Sequence, residues 1–199
     1  MKRILLPLIL LSVSAIAAAQ PKPHIVDKAH SQINFVAEAR LLTAHGFFDK
    51  WEADIQLDAT KIENSTFKIT IDAASINTRN ERRDTHLKSN DFFGVQQFPQ
   101  ILLVSKKITK TADKKYTITA DLTLHGVTKQ VEVPLTQVFY ENNRGRFRAR
   151  FEINRKDYGI NYNSNMNPIQ DIVEVQVDIN VQDKEAADKA AAQRQQRAN

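Results

Sequence analysis

The 199 residues carry 28 lysines and arginines against 23 acidic residues, a formal net charge of +5, with 42% hydrophobic and 26% charged residues. This is the composition of one globular domain, at most two small ones, and not of a disordered chain. The absence of cysteine excludes disulfides, thiolate metal sites, iron–sulfur clusters, thiol catalysis and a lipid-anchored N-terminal cysteine, and five glycines leave almost no room for a Gly-rich phosphate loop.

The N-terminus reads as an export signal. Lys2 and Arg3 precede an apolar run over 4–16, and the small residues Ala17, Ala18 and Ala19 follow. The run is too short and wrongly flanked for a spanning helix, so cleavage after Ala19 is favoured over an uncleaved anchor. The expected mature chain is 20–199, 180 residues with a net charge of +3. That near-balance weakens a nucleic-acid reading, and the export signal points to a periplasmic or secreted protein. Without disulfides, the exported chain is held by core burial alone.

The body of the chain alternates with period two. In order, the inward sets are Ile33, Phe35 and Ala37; Trp51, Ala53, Ile55 and Leu57; Phe67, Ile69, Ile71 and Ala73. Tyr116, Ile118, Ala120, Leu122 and Leu124 follow, then Val131, Val133 and Leu135, then Phe147, Ala149, Phe151 and Ile153. Val173, Val175, Val177, Ile179 and Val181 close the series. Each reads as a strand with one buried face. The run 101–104 is apolar throughout and predicts a strand covered on both faces. Eight strands joined mostly by short turns indicate an antiparallel barrel or sandwich, and closure, which removes the sheet edges, favours the barrel. His125-Gly126 and Asn142-Asn143 supply tight reversals, and 161–168, rich in asparagine, reads as a loop.

Between the third and fourth strands, 81–88 reads as a short helix. Thr78 and Glu81 form a candidate capping box, and Asp84 and Lys88 a candidate i, i+4 pair. Its segment, 78–99, sits over a barrel mouth or on the flank. The end of the chain, 183–199, rich in alanine and glutamine, reads as a mobile helical tail outside a 20–182 domain.

Catalytic patterns are absent: there is no H-E-x-x-H, G-x-S-x-G or P-loop, and the histidines His24, His30, His45, His86 and His125 have no metal-ligand spacing. No metal or cofactor is implied. Asp27, His30 and Ser31 are triad residue types but read better as the polar start of a strand. Arg146, Arg148 and Arg150 form an outward stripe, ordinarily a solvated face, which is also open to anionic headgroups at a membrane surface. Ala37, Ala53, Ala120 and Ala149 among larger inward residues leave room inside, and a tilted strand of about eight residues spans ~20 Å along the axis, a length suited to a lipid tail.

Several motifs in unbroken order over 27–181 resemble the YceI-like family. They are His30-Ser31 with Phe35, Gly46-Phe47-Phe48, the stretch 71–78 (IDAASINT), the stretch 83–89 (RDTHLKS), Asp91-Phe92-Phe93, Phe98-Pro99, 121–129 (DLTLHGVTK) and 155–160 (RKDYGI). The resemblance implies an all-β fold, an eight-stranded antiparallel, lipocalin-like barrel with a helix at its side, which binds a polyisoprenoid or isoprenoid quinone and does not catalyse. It implies Phe35, Phe47, Phe92 and Phe93 as contacts of the tail, with Arg83, Asp84 and His86 as polar neighbours of the head. Many members carry a histidine shortly after the phenylalanine of the first strand. Here 36–40 has none and the nearest is His45, so the head contact made there is absent or replaced. The alternatives are an enzyme acting on a prenyl headgroup and a structural surface barrel with a filled core.

Overall fold

The computed structural model describes residues 20–198. The expected export signal, 1–19, lies outside the described residues. The alternating runs become strands, because a strand that turns every second side chain inward buries one face and wets the other. In chain order they are β1 (Lys22–Val26), β2 (Gln32–Ala39), β3 (Leu42–Phe48), β4 (Trp51–Leu57), β5 (Thr66–Asp72) and β6 (Ile76–Asn77). Then come the helix α1 (Glu81–Lys88), the strands β7 (Gln100–Ala112), β8 (Lys115–Leu124), β9 (Val127–Glu141), β10 (Arg144–Asn154) and β11 (Ile169–Asp183), and the helix α2 (Lys184–Ala198).

All pairings are antiparallel, in the order β1-β4-β5-β7-β8-β9-β10-β11, and β1 pairs back onto β11, which closes an eight-stranded barrel. β11 has two partners in succession along one edge. Its end, Val181–Asp183, takes β1, and its first part, Ile169–Asp178, takes β2. β2 continues into β3 and the two-residue β6, so at one end the wall splays outward from the closed ring. The break between β1 and β2 is a 3₁₀ turn, Lys28–His30, capped by the Asp27 carboxylate, which accepts from Ala29 N–H. Asp27 N–H donates to the Asn180 carbonyl, and Asn180 N–H donates to Ser31 Oγ, which pins the break to β11.

The turns follow their residue types. His125 and Gly126 both adopt positive φ, 51° and 75°, at the β8–β9 reversal, and Asn142 and Asn143 do so at β9–β10. The run 101–104 departs from expectation. Ile101 and Leu103 are buried, but Leu102 is half-buried and Val104 exposed, because the barrel covers only its inner face. α1 spans the expected residues, but its cap is Asn80, whose side chain accepts from Arg83 N–H, and Asp84 bonds Thr78 rather than Lys88. α2 continues from β11 as an exposed helix beyond Ala190. The arginine stripe is compensated: Arg146 and Arg148 pair with Asp178, at 2.6 and 3.4 Å, and Arg150 with Glu174 at 3.3 Å.

Asp58 locks the β4–β5 connection. Buried at 2% exposure, its carboxylate accepts from Thr60 Oγ1, Thr60 N–H, Lys61 N–H and Asn64 Nδ2. The Thr60 hydroxyl, with Asn64 and the backbone donors, holds its pKa below the ordinary value of 3.8. A depressed folded-state pKa contributes stability above the unfolded pKa and loses it as pH falls through the folded one. Asp58→Asn is therefore expected to cost about 2 kcal/mol at neutral pH. The gap between variant and parent should begin to narrow near about pH 4 and keep narrowing as pH falls through the lower folded-state pKa. Thermal melts across pH read this directly, and a gap independent of pH refutes it.

Candidate ligand cavity

The inward faces do not fill the barrel. A cavity of about 380 Å³ begins among Ile69, Leu103 and Val177 and runs to the splayed end, where β2, β3, α1 and the segments around Phe92 and 160–169 meet. Its deep wall is apolar, with Ile33, Phe35, Ile71, Ile101, Leu122, Phe151 and Val175. Polar side chains join the lining at the splayed end, from α1 (Arg83, His86), from Arg155 and from the loop before β11 (Tyr162, Ser164, Asn167); Asn34 on β2 is the exception. Asn34 Oδ1 is also the one buried side-chain oxygen or nitrogen without a partner among the described residues. Leu42 lines the cavity and is 42% exposed, so the wall there continues to the surface.

Three junctions assemble this end. Arg40 N–H donates to the Pro168 carbonyl and Leu41 N–H to Asn167 Oδ1, which joins the β2–β3 tip to the mouth loop. The His86 ring packs edge-on against Phe92 and Tyr162, with centroids at 5.0 and 4.8 Å, which joins α1 to the same loop. The β8–β9 tip docks through His125, whose Nδ1 lies 3.0 Å from the Tyr158 carbonyl and whose ring packs on Phe98 at 4.5 Å.

Five of the seven residues expected from the sequence meet in the lining: Phe35, Phe92, Phe93, Arg83 and His86. Phe47 is not among them. It alternates with Gly46 and Phe48 on β3, so Phe48 faces the cavity while the Phe47 ring lies under the Arg79 guanidinium at 5.2 Å. Asp84 is also outside the lining. It accepts from Thr78 N–H at 2.8 Å and Thr78 Oγ1 at 2.5 Å, and Arg83 Nε donates to the same hydroxyl at 2.7 Å. Asp84 thus anchors α1 through Thr78. Among the described residues Arg83 has no carboxylate within 4.0 Å, whereas His86 Nε2 lies 2.9 Å from Asp91 Oδ2. His45 shares the outward face of β3 with Phe47 and does not line the cavity.

Sequence reasoning missed Arg155 as a site residue. It is 4% exposed, and its five N–H donors all have acceptors: the carbonyls of Ile160, Tyr162, Ile169 and Gln170, and Asp171 Oδ1. No local sequence signal marks an arginine that serves backbone carbonyls. The triad residue types do not form a relay. His30 Nδ1 lies 2.8 Å from Asp27 Oδ2, but Ser31 Oγ donates to the Asp27 carbonyl. Among the described residues no group of three metal-ligating side chains occurs, and no helix is long and apolar enough to cross a membrane.

Comparison with known proteins places this geometry. The YceI-like domain model matches residues 25–181. A UPF0312 protein of Pseudomonas savastanoi is 32% identical over 152 residues, 71% of this chain and 78% of that protein. One from Staphylococcus aureus is 33% identical over 147 residues, 70% and 83% of the respective chains. Among solved structures, BcnA of Burkholderia cenocepacia superposes with a TM-score of 0.73 at 24% identity, over 78% of this chain and 99% of that one. A polyisoprenoid-binding domain from Saccharophagus degradans superposes with a TM-score of 0.65 at 16% identity, covering 81% and 99%. These two likenesses concern the fold. The family match over nearly the whole barrel and the identity to the UPF0312 proteins establish that this chain belongs to the YceI-like family.

Proposed function

We propose that the protein is an exported carrier or store for one isoprenoid-tailed amphiphile, a polyisoprenoid or an isoprenoid quinone, and that it binds without catalysing. The carrying observation is the cavity: apolar at depth apart from Asn34, with its other polar side chains at the mouth, and within the ~300–1,000 Å³ range of sites that enclose one small amphiphile. That polarity gradient matches a hydrocarbon tail with an oxygen-bearing head. The fold neighbour from Saccharophagus is a polyisoprenoid-binding domain, which agrees with this reading. A barrel with a filled core would not have such a space.

Phe35, Phe92 and Phe93 then contact the tail, with Phe48 in place of Phe47. Arg83, whose charge has no carboxylate partner among the described residues, and His86 face the head oxygens. The basic and apolar residues at 2–16 and the alanines that follow support export, with cleavage after Ala19. Leu41 and Met166, 73% and 82% exposed on the two loops at the splayed end, offer an apolar contact to a bilayer during loading.

The test is native purification followed by mass spectrometry of an organic extract, and titration of the stripped protein with a prenyl quinone. Retention or saturable uptake of a prenyl lipid is expected. A protein that retains none and binds none overturns the reading.

A further inference from the structure

The barrel holds a second, smaller cavity of about 80 Å³ beneath the first, lined by Phe67, Ile118, Phe147 and Ile179 among others. Ile69, Leu103 and Val177 line both. The three stand on facing walls of the barrel. Ile69 and Leu103 are direct cross-strand partners on β5 and β7. Val177 stands on β11, four strands from β7 in a ring of eight, which is the opposite wall. Along β5 and β11 the neighbouring inward residues divide cleanly. Ile71 and Val175 line only the upper cavity, while Phe67 and Ile179 line only the lower one.

We propose that Ile69, Leu103 and Val177 form a waist that stops the tail and so sets the chain length this protein holds. The inference rests on the reading of the barrel as a lipid container. A tail that enters from the mouth gains affinity with every methylene it buries, about fourfold each. At the waist that gain ends, and additional isoprene units stay outside in water. Trimming the waist opens the lower cavity to the tail and extends the gain.

The experiment is a titration of the stripped protein with all-trans farnesol, geranylgeraniol and solanesol, for the parent, Leu103→Ala and Ile69→Ala. In the parent, affinity should rise with length and then level off before solanesol. In the trimmed variants the levelling should move to longer chains, with a gain of at least about tenfold for the longest probe over the parent. Affinity that climbs steadily through solanesol in the parent overturns the waist and leaves the container reading intact; this outcome needs no variant to fold. An unshifted profile in two folded variants overturns it as well. Absence of binding to all three probes overturns the container reading and the waist with it.

Discussion

Replacement of Arg155 by alanine should lower the melting temperature by about 6–20 °C, reflecting a loss on the order of 3–5 kcal/mol in a domain of this size. The guanidinium is buried, and all five of its donors are used: four backbone carbonyls from 160, 162, 169 and 170, and the Asp171 carboxylate. Alanine would leave those acceptors unpaired, the expensive side of hydrogen-bond energetics. It would also remove the side chain that ties both ends of the 160–169 segment together, and that segment carries Tyr162, Ser164, Asn167 and Ile169 into the cavity lining. Arg155→Lys should be almost as damaging, because three donors on a flexible stem cannot replace a planar fork of five. Limited proteolysis should then cut within 161–168 at a rate the parent does not show. A lysine variant within about 0.5 kcal/mol of the parent, a change typical of an uninvolved surface position, would mean that the loop is held by something else.

Gly46→Ala should be strongly damaging although it exchanges only a single hydrogen for a methyl group. Gly46 lies opposite Phe35 in the β2–β3 pairing, and the Phe35 ring lies across it. A Cβ at 46 would meet Phe35 Cζ at 2.1 Å and Cε1 at 2.2 Å, distances that force the ring to move. The space available to it is the cavity, which Phe35 already lines. The expected cost is about 1–3 kcal/mol, as for other overpacked cores. Ligand capacity should fall as well, since the displaced ring occupies tail space. The distinguishing measurement is a double-mutant cycle with Phe35→Leu. The smaller side chain should relieve most of the Gly46→Ala penalty, giving strong non-additivity between touching residues. Additive losses would show that the clash is not the cause.

These two residues mark where local pattern stops being informative. Alternation specified the faces of β4, β5, β8, β10 and β11, because period-two burial is written residue by residue. It did not reveal β1, in which Pro23 and the buried His24 interrupt any apolar run, or β3, in which Gly46 occupies the inward position that a large apolar residue would otherwise mark. The closure depends on this hidden first strand: β1 pairs with both β4 and β11, while β2, which the pattern does show, lies on the splayed extension. The same logic separates the two phenylalanines of β3. With two aromatic neighbours in sequence, one must face out, and the register that turns Gly46 toward Phe35 also turns Phe48 inward and Phe47 toward Arg79. For Asp84 the partner is Thr78, six residues earlier, which presents both its backbone N–H and its hydroxyl.

By itself the sequence determined the composition of a disulfide-free domain, the alternating faces, the tight Asn-Asn and His-Gly reversals and the short helix between the third and fourth runs. All of these are local properties, fixed by residues within a few positions of one another. Only the tertiary structure decided which strand closes the ring, how the cavity is divided at Ile69, Leu103 and Val177, and that an arginine at 155 holds the mouth loop through backbone carbonyls. Those features depend on pairings between residues far apart in the chain, and their energies arise from burial and register that no single stretch of sequence encodes.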